Sequence, residues 1–324
     1  MTSTEWLDTY YKLNNSFKKK LVFRLGVDSG FFSEYNNMVL AMLYCLKHHI
    51  KFELYSDHTH FALRDGWNDF FVPFKNANYN SINKDYNLRY YVYEGRRNAP
   101  FYKLTWLKNR TIPHAYKFFY GVDYLTQDLW GFHREASFAD ERFTIPELGF
   151  HNASVLDVTQ PLIKALWHYN AQSAPIVAEF IQSAHLPADE YISIHLRAGD
   201  KFTEAKTFDF GDYMVPAIKL SKNRKAFILT DDYTVLEHLR AQYPDWEFYT
   251  LCEPTERGYF HHDFIKQTKE FKYRQHLKLF ASMDICAGST SFIGTYSSNP
   301  GMYMGMRIGP ERCHGIDFDK WVLW

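Results

Sequence analysis

Hydrophobic and polar positions in the second half of this chain fall into two alternating periods. Tyr191-Ile-Ser-Ile-His-Leu-Arg197 is a short apolar run of strand type, and Asp212 to Asn223 has helical spacing through Tyr213, Ala217 and Leu220, with Pro216 acceptable only near its first turn. Lys225 to Thr230 reads as strand. Tyr233 to Tyr243 reads as helix, with Val235, Leu236 and Leu239 on one face and Pro244 just beyond. Trp246 to Leu251 predicts a strand, Phe264 to Met283 a long amphipathic helix, and Ser291 to Tyr296 another strand. Asn299-Pro300 then opens a helix through Arg307, with proline in the first turn, where a missing N–H costs nothing.

Repeated strand–helix alternation predicts a doubly wound α/β sheet with parallel strands and helices on both faces. Strands that are apolar without alternating fit burial on both sides. In such sheets ligands sit beyond the carboxyl ends of the strands, so the residues just after each strand are the ones to inspect. The first half is less regular. Leu21 to Leu25 and Lys51 to Tyr55 read as strands, and Tyr35 to His49 reads as a helix with Met38, Met42, Leu43 and Leu46 clustered. Turn-rich aromatic stretches follow, among them 116–120 and 130–132. Residues 161–185 read as a long helix, or a helix pair broken near Pro175. The join of two domains is placed there, 1–165 and 166–324, as a length of 324 residues favours about two domains.

Composition narrows the function. Thirty-seven Lys+Arg against thirty-seven Asp+Glu give no net charge, which removes the electrostatic footprint of a general nucleic-acid binder and leaves room for a local anion pocket. Aromatic residues make up 19% of the chain, enough for large cores or for sugar-stacking surfaces. Trp67, Trp106, Tyr120, Trp130 and Phe132 are candidates for stacking on an acceptor, although core packing is the commoner use of each. Cys45, Cys252, Cys286 and Cys313 are scattered and form no Cys-x-x-Cys pair, so reduced buried thiols are expected. No secretory signal is visible, and the longest apolar run, Met38 to Leu46, is far short of the ~20 residues that span a bilayer. A soluble cytoplasmic protein is the expectation. Lys18-Lys19-Lys20 is a candidate for peripheral contact with anionic membrane, with a solvated flank as the commoner use of such a run.

The strand ends carry the chemistry. The first gives His195-Leu-Arg197-Ala-Gly-Asp200-Lys201, with Glu204 close behind. The second gives Thr230-Asp231-Asp232, and the last Thr295-Tyr-Ser297-Ser298-Asn299-Pro300 at a helix start. Hydroxyls and backbone N–H groups at a helix N-terminus suit a phosphate oxygen, and Arg197 is the natural second clamp because its planar fork matches phosphate. Bland uses compete: Ser297, Ser298, Asn299, Asp231 and Asp232 as helix caps, Arg197 with Asp200 as an ion pair, and His195 as a core residue. Three strand ends that should share one crevice nonetheless all finish in polar clusters. Phosphate-loop, dinucleotide and nucleophile-elbow motifs are absent. His58-Thr-His60 has no partners at metal-ligand spacing, and Asp317-Phe-Asp319 matches an Asp-x-Asp pattern but lies near the C-terminus.

The stretch His195-Leu-Arg197-Ala-Gly-Asp200-Lys201, followed by Thr203-Glu204-Ala205, resembles the donor motif of the α1,6-fucosyltransferases. Thr230-Asp231-Asp232 and Thr295-Tyr296-Ser297-Ser298 resemble that superfamily's second and third motifs in the same order, and Gly199-Asp200 echoes the bacterial α1,2-fucosyltransferases. Arg24 to Leu46, with Gly26, Gly30, Asn36 and Asn37, is similar to their opening strand–turn–helix. Ala198 stands where the family's second motif arginine stands, the spacer before Glu204 is one residue shorter, and Asp284 is the nearest acidic residue to the family's guanine reader.

The resemblance implies a GT-B-like α/β fold, two Rossmann-like domains with parallel sheets facing a central cleft, the N-terminal one on the acceptor side and the C-terminal one holding the donor. It implies inverting, metal-independent transfer of fucose from GDP-fucose to a glycan hydroxyl, with no cofactor beyond the donor. Glu204 is then the general base and Arg197 the cation at the leaving diphosphate. His195, Asp200, Lys201, Asp231, Asp232, Thr295, Ser297 and Ser298 complete the donor site. Two alternatives stand beside it: the same fold using another nucleotide sugar for surface-polysaccharide assembly, and a catalytically silent nucleotide- or glycan-binding homologue.

Overall fold

The computed structural model describes residues 2–27, 29–89, 92, 102–196, 209–259, 261–264 and 266–318. They form two compact units, Met1–Asn170 and Ala171–Trp324.

Unit 1 begins with helix α1 (Ser3–Ser16), which the apolar pattern did not announce but local chemistry explains. Thr2 and Glu5 form a reciprocal capping box, the Glu5 N–H donating to Thr2 Oγ1 at 3.3 Å and the Thr2 N–H to Glu5 Oε2 at 2.7 Å. Trp6, Tyr10, Tyr11 and Asn14 make its buried face. Strands β1 (Lys19–Arg24) and β2 (Ile50–Tyr55) pair in parallel from Lys19↔Ile50 to Arg24↔Tyr55, joined by helix α2 (Phe31–Lys47), whose apolar positions from Phe31 to Leu46 are nearly all buried. Helix α3 (Tyr102–Tyr120) leads to the short strand β3 (Tyr124–Leu125) on the other side of β1, giving the parallel order β2-β1-β3. An antiparallel pair, β4 (Arg142–Ile145) and β5 (Phe150–Ser154), precedes helix α4 (Val155–Leu166).

Much of the aromatic content is used here. Trp67 stacks on Phe71 at 4.5 Å and on Tyr35 at 6.2 Å, and Trp167 meets Phe71 at 4.9 Å. Trp67 is therefore core, at 2% exposure. The region read as 161–185 is two helices: α4 ends at Leu166 and α5 spans Ser173–Ser183. The interruption falls at 167–172 rather than at Pro175, because Pro175 sits in the first turn of α5, where the helix has no N–H to lose.

Unit 2 holds a parallel sheet with order β10-β9-β6-β7-β8, built from β6 (Ile192–His195), β7 (Lys225–Leu229), β8 (Glu247–Tyr249), β9 (Phe292–Gly294) and β10 (Cys313–Gly315). Helices α6 (Phe210–Leu220), α7 (Thr234–Gln242), α8 (Lys269–Gly288) and α9 (Asn299–Ile308) connect them. Ile192, Ile194, Ala226, Phe227, Ile228 and Ile293 are all essentially buried, as strands covered on both faces require.

Two readings shift. The long helix begins at Lys269, not Phe264, because the Thr268 hydroxyl accepts from the Phe271 N–H at 3.2 Å and fixes the start there. Pro216 lies inside α6, whose start at Phe210 is set by an Asp209–Asp212 capping box ahead of the expected Asp212.

Candidate functional site

From β6 the chain passes to β7 and β8 on one side, then returns to β9 and β10 on the other. The strand order therefore reverses between β6 and β9, and all five strands present their carboxyl ends at one edge. His195 closes β6 and Gly294 closes β9. A side chain on Gly294 would come within 3.1 Å of the Phe292 ring and 3.4 Å of His195 Cβ, so the glycine lets the two strand ends approach. His195 is buried and its ring lies along Phe292 at 6.4 Å. Arg197, Asp200, Lys201 and Glu204, which follow β6, lie outside the described residues.

The turn after β9 is defined in detail. The Ser298 hydroxyl donates to the Thr295 carbonyl at 2.7 Å and accepts from the Gly301 N–H at 3.1 Å, which makes Ser298 the N-cap of α9. Its proton is thereby committed inside the protein; the remaining lone pair has nothing to offer an anionic oxygen. Gly301 is required by packing, since a Cβ there would lie 2.0 Å from the Thr295 carbonyl oxygen. The turn also already holds an anion. Asp317, just beyond β10, accepts from the Tyr296 N–H at 2.8 Å, the Ser297 N–H at 3.0 Å and the Ser297 hydroxyl at 2.6 Å. Two successive backbone N–H groups and a hydroxyl make a small anion nest, and this chain's own carboxylate fills it. The sequence flagged Asp317 only through the Asp-x-Asp pattern, whose second member, Asp319, lies outside the described residues.

The end of β7 behaves differently. Asp232 Oδ1 accepts from the Thr234 N–H at 2.9 Å and the Thr234 hydroxyl at 2.8 Å, a local Asx turn just ahead of α7. Asp231 reaches the next loop: its carboxylate accepts from the Tyr259 N–H at 3.1 Å and its carbonyl from the Gly258 N–H at 2.9 Å. That loop is pinned from the other side by Lys278 of α8, a buried cation whose Nζ contacts both Glu256 carboxylate oxygens at 2.8 Å. Lys278 was not singled out in the sequence, where it reads as one polar position on a helix. Asp284 pairs with Arg307 at 2.6 Å, tying α8 to α9.

In unit 1 the turn after β1 is built around Gly26. Its φ is +69°, and any Cβ at this position would lie 2.6 Å from Thr59 Cβ, so only glycine fits. The Gly26 N–H donates to the buried Glu34 at 3.1 Å, and Glu34 forms an ion pair with Arg89. The Arg89 guanidinium lies 3.9 Å over the Trp130 ring, with Arg134 at 4.9 Å. His133 is buried beside this stack. Burial, helped by the Arg134 and Arg89 charges and opposed by the Leu129 backbone, pushes its pKa down to about 3. Trp106, Tyr120 and Phe132 are exposed. His58 Nδ1 contacts the Tyr55 hydroxyl at 2.6 Å, and among the described residues no group of three His, Cys, Asp or Glu side chains is arranged to hold a metal. The four cysteines are buried and unbridged.

Neither the models of known protein families nor the curated proteins match this sequence. Solved structures do match in fold. The structure of NodZ alpha-1,6-fucosyltransferase soaked with GDP-fucose superposes with a TM-score of 0.52 at 12% identity, over 90% of this chain and 93% of that one. A point mutant of Arabidopsis thaliana FUT1 in complex with GDP superposes with a TM-score of 0.50 at 11% identity, over 94% of this chain and 72% of that one. The class defined is thus an α/β protein with parallel sheets and the fold of the GT-B fucosyltransferases. At these identities the likeness is one of fold.

Proposed function

We propose that this protein is an inverting, metal-independent glycosyltransferase that moves fucose from GDP-fucose to a glycan hydroxyl, working in the cytoplasm. What carries the reading is the position of the anion nest at residues 296–297, at the switch point of a parallel sheet whose fold is shared with a fucosyltransferase soaked with its GDP-sugar. Residues 166–324 are assigned the donor and 1–165 the acceptor side.

In the proposed mechanism Arg197 clamps the donor diphosphate. Charge accumulates on the leaving phosphate as the sugar becomes oxocarbenium-like, so a fixed guanidinium there stabilises the transition state more than the bound substrate and does the work a metal ion would otherwise do. The N–H groups of Tyr296 and Ser297 and the Ser297 hydroxyl are the protein's other donors to phosphate, taken over from Asp317 when the donor binds. Ser298 and Thr295 act by holding the start of α9. Glu204 removes the proton of the attacking hydroxyl on the opposite face of the sugar. His195, Asp200 and Lys201 shape the loop after β6, while Asp231 and Asp232 frame the nucleoside end.

Calorimetric titration with GDP, UDP and ADP, paired with an assay for GDP released from GDP-fucose, tests the reading. GDP should bind at least ~10-fold more tightly than the other two, as expected when a site pairs with base-specific polar groups. A preference for UDP or ADP transfers the protein to the surface-polysaccharide alternative. Binding of GDP with no release, whatever glycan is added, leaves the silent homologue.

A further inference from the structure

We propose that α3 is a membrane-surface helix that lays unit 1 on anionic lipid, with Leu107, Phe118 and Phe119 entering the boundary between headgroups and acyl chains. Its inner side is anchored: Tyr116, 2% exposed, packs with Val22, Tyr55, Val122 and Leu125, and its hydroxyl accepts from Asn83 Nδ2 at 3.1 Å. Its exposed side carries large apolar groups among the polar Lys108, Arg110, Thr111 and His114. Trp106, Leu107, Phe118, Phe119 and Tyr120 are 48%, 51%, 82%, 78% and 59% exposed. Single exposed apolar residues are ordinary; a set on one helix marks an interaction surface.

Charge selects the partner. At about 100° per residue, Leu107, Thr111, Ala115 and Phe118 share one stripe, with Arg110 on one flank and Lys108 on the other. The helix sequence contains no Asp or Glu. At its C-terminal end Lys20 Nζ donates to the Tyr120 carbonyl at 3.3 Å, which ties the start of β1, and the Lys18–Lys20 run with it, to this end of the helix. Lys18, Lys19, Lys108 and Arg110 enter no ion pair among the described residues. Lys117 is paired with Asp128, Lys20 lies 3.9 Å from Glu53, and Asp123 accepts from the Lys20 N–H at 2.8 Å, so the charge left in excess around the exposed aromatics is that of Lys18, Lys19, Lys108 and Arg110. Exposed aromatics with a cationic excess are the pattern of a helix lying in the interfacial plane of an anionic bilayer.

The test uses the full chain, sedimented with vesicles of phosphatidylcholine alone or with about a third phosphatidylglycerol. Binding to the anionic vesicles should exceed binding to the neutral ones by at least ~10-fold and fall several-fold as salt rises from about 0.1 to 0.5 M. Phe118→Ser/Phe119→Ser and Lys18→Glu/Lys19→Glu should each cut the bound fraction by roughly 10-fold or more. Val215→Ser/Ile218→Ser, which removes two exposed apolar groups from unit 2, should leave it unchanged. Thermal melts of all three variants confirm that they fold. No binding to either vesicle, equal binding to both, or a concentration-dependent dimer abolished by the phenylalanine pair in place of vesicle binding would each overturn the proposal. None of these outcomes touches the donor reading, which is judged by nucleotide titration.

Discussion

At the scale of single residues, the proposed site depends on what each polar atom has left to give. Ser298 has spent its proton on the Thr295 carbonyl, whereas Ser297 gives its proton to the Asp317 carboxylate, the anion that the proposed mechanism exchanges for the donor. Removing that anion tests whether Asp317 shapes the turn. Asp317→Ala strands the Tyr296 and Ser297 donors and should lower unfolding stability by about 1–3 kcal/mol, read from denaturant midpoints. An unchanged midpoint would mean the turn holds itself. For Arg197, replacement by lysine exchanges a planar fork for a point charge, and turnover of GDP-fucose should drop at least ~100-fold. Near-normal turnover by Arg197→Lys would take this side chain off the diphosphate.

At the scale of elements, Gly301 joins β9 to α9 by giving up a side chain. Gly301→Ala places a Cβ 2.0 Å from a backbone oxygen, so the 295–298 turn must move. The expected result is a loss of about 1–3 kcal/mol in stability together with weaker GDP binding; a variant with wild-type melting and affinity would show that the turn is more compliant than its packing implies. The same scale explains what the sequence revealed. Strands β6 to β9 of unit 2 were legible because each lies in a short, largely apolar run, and several of its helices because caps or prolines mark their starts. Helix α3 was hidden: Pro113 lies inside it, and Phe118 to Tyr120 break the usual periodicity by facing aromatics outward. Strand β10 spans only Cys313–Gly315, too short for any pattern to register. The Asp317 contact joins residues twenty positions apart, and no local rule anticipates it. The polar cluster after β6 was the most readable candidate chemistry in the chain, yet residues 197–208 lie outside the described residues.

At the scale of the whole molecule, stability should respond to acid through one buried imidazole. His133 stays neutral in the fold, with a pKa near 3, while an unfolded histidine titrates near 6.5. The lowered folded value means that its contribution is complete above about pH 6.5 and is lost as the pH falls from there toward 3, because only the unfolded chain takes the proton. Between pH 7 and 5 the wild-type protein should therefore lose about 2 kcal/mol more than His133→Phe, measured by chemical denaturation at each pH. Parallel acid profiles for the two proteins would place the proton elsewhere.

The reach of Asp317 back to the 296–297 turn also orders events during synthesis. Unit 1 can collapse while the ribosome is still making the rest of the chain, since domains generally fold as they emerge. The turn after β9 cannot close on its carboxylate until residue 317 has itself been released. A chain released only as far as residue 316 would already hold all five strands of the unit 2 sheet while the Tyr296 and Ser297 N–H groups still lacked their acceptor, so this turn sets after the strands that carry it.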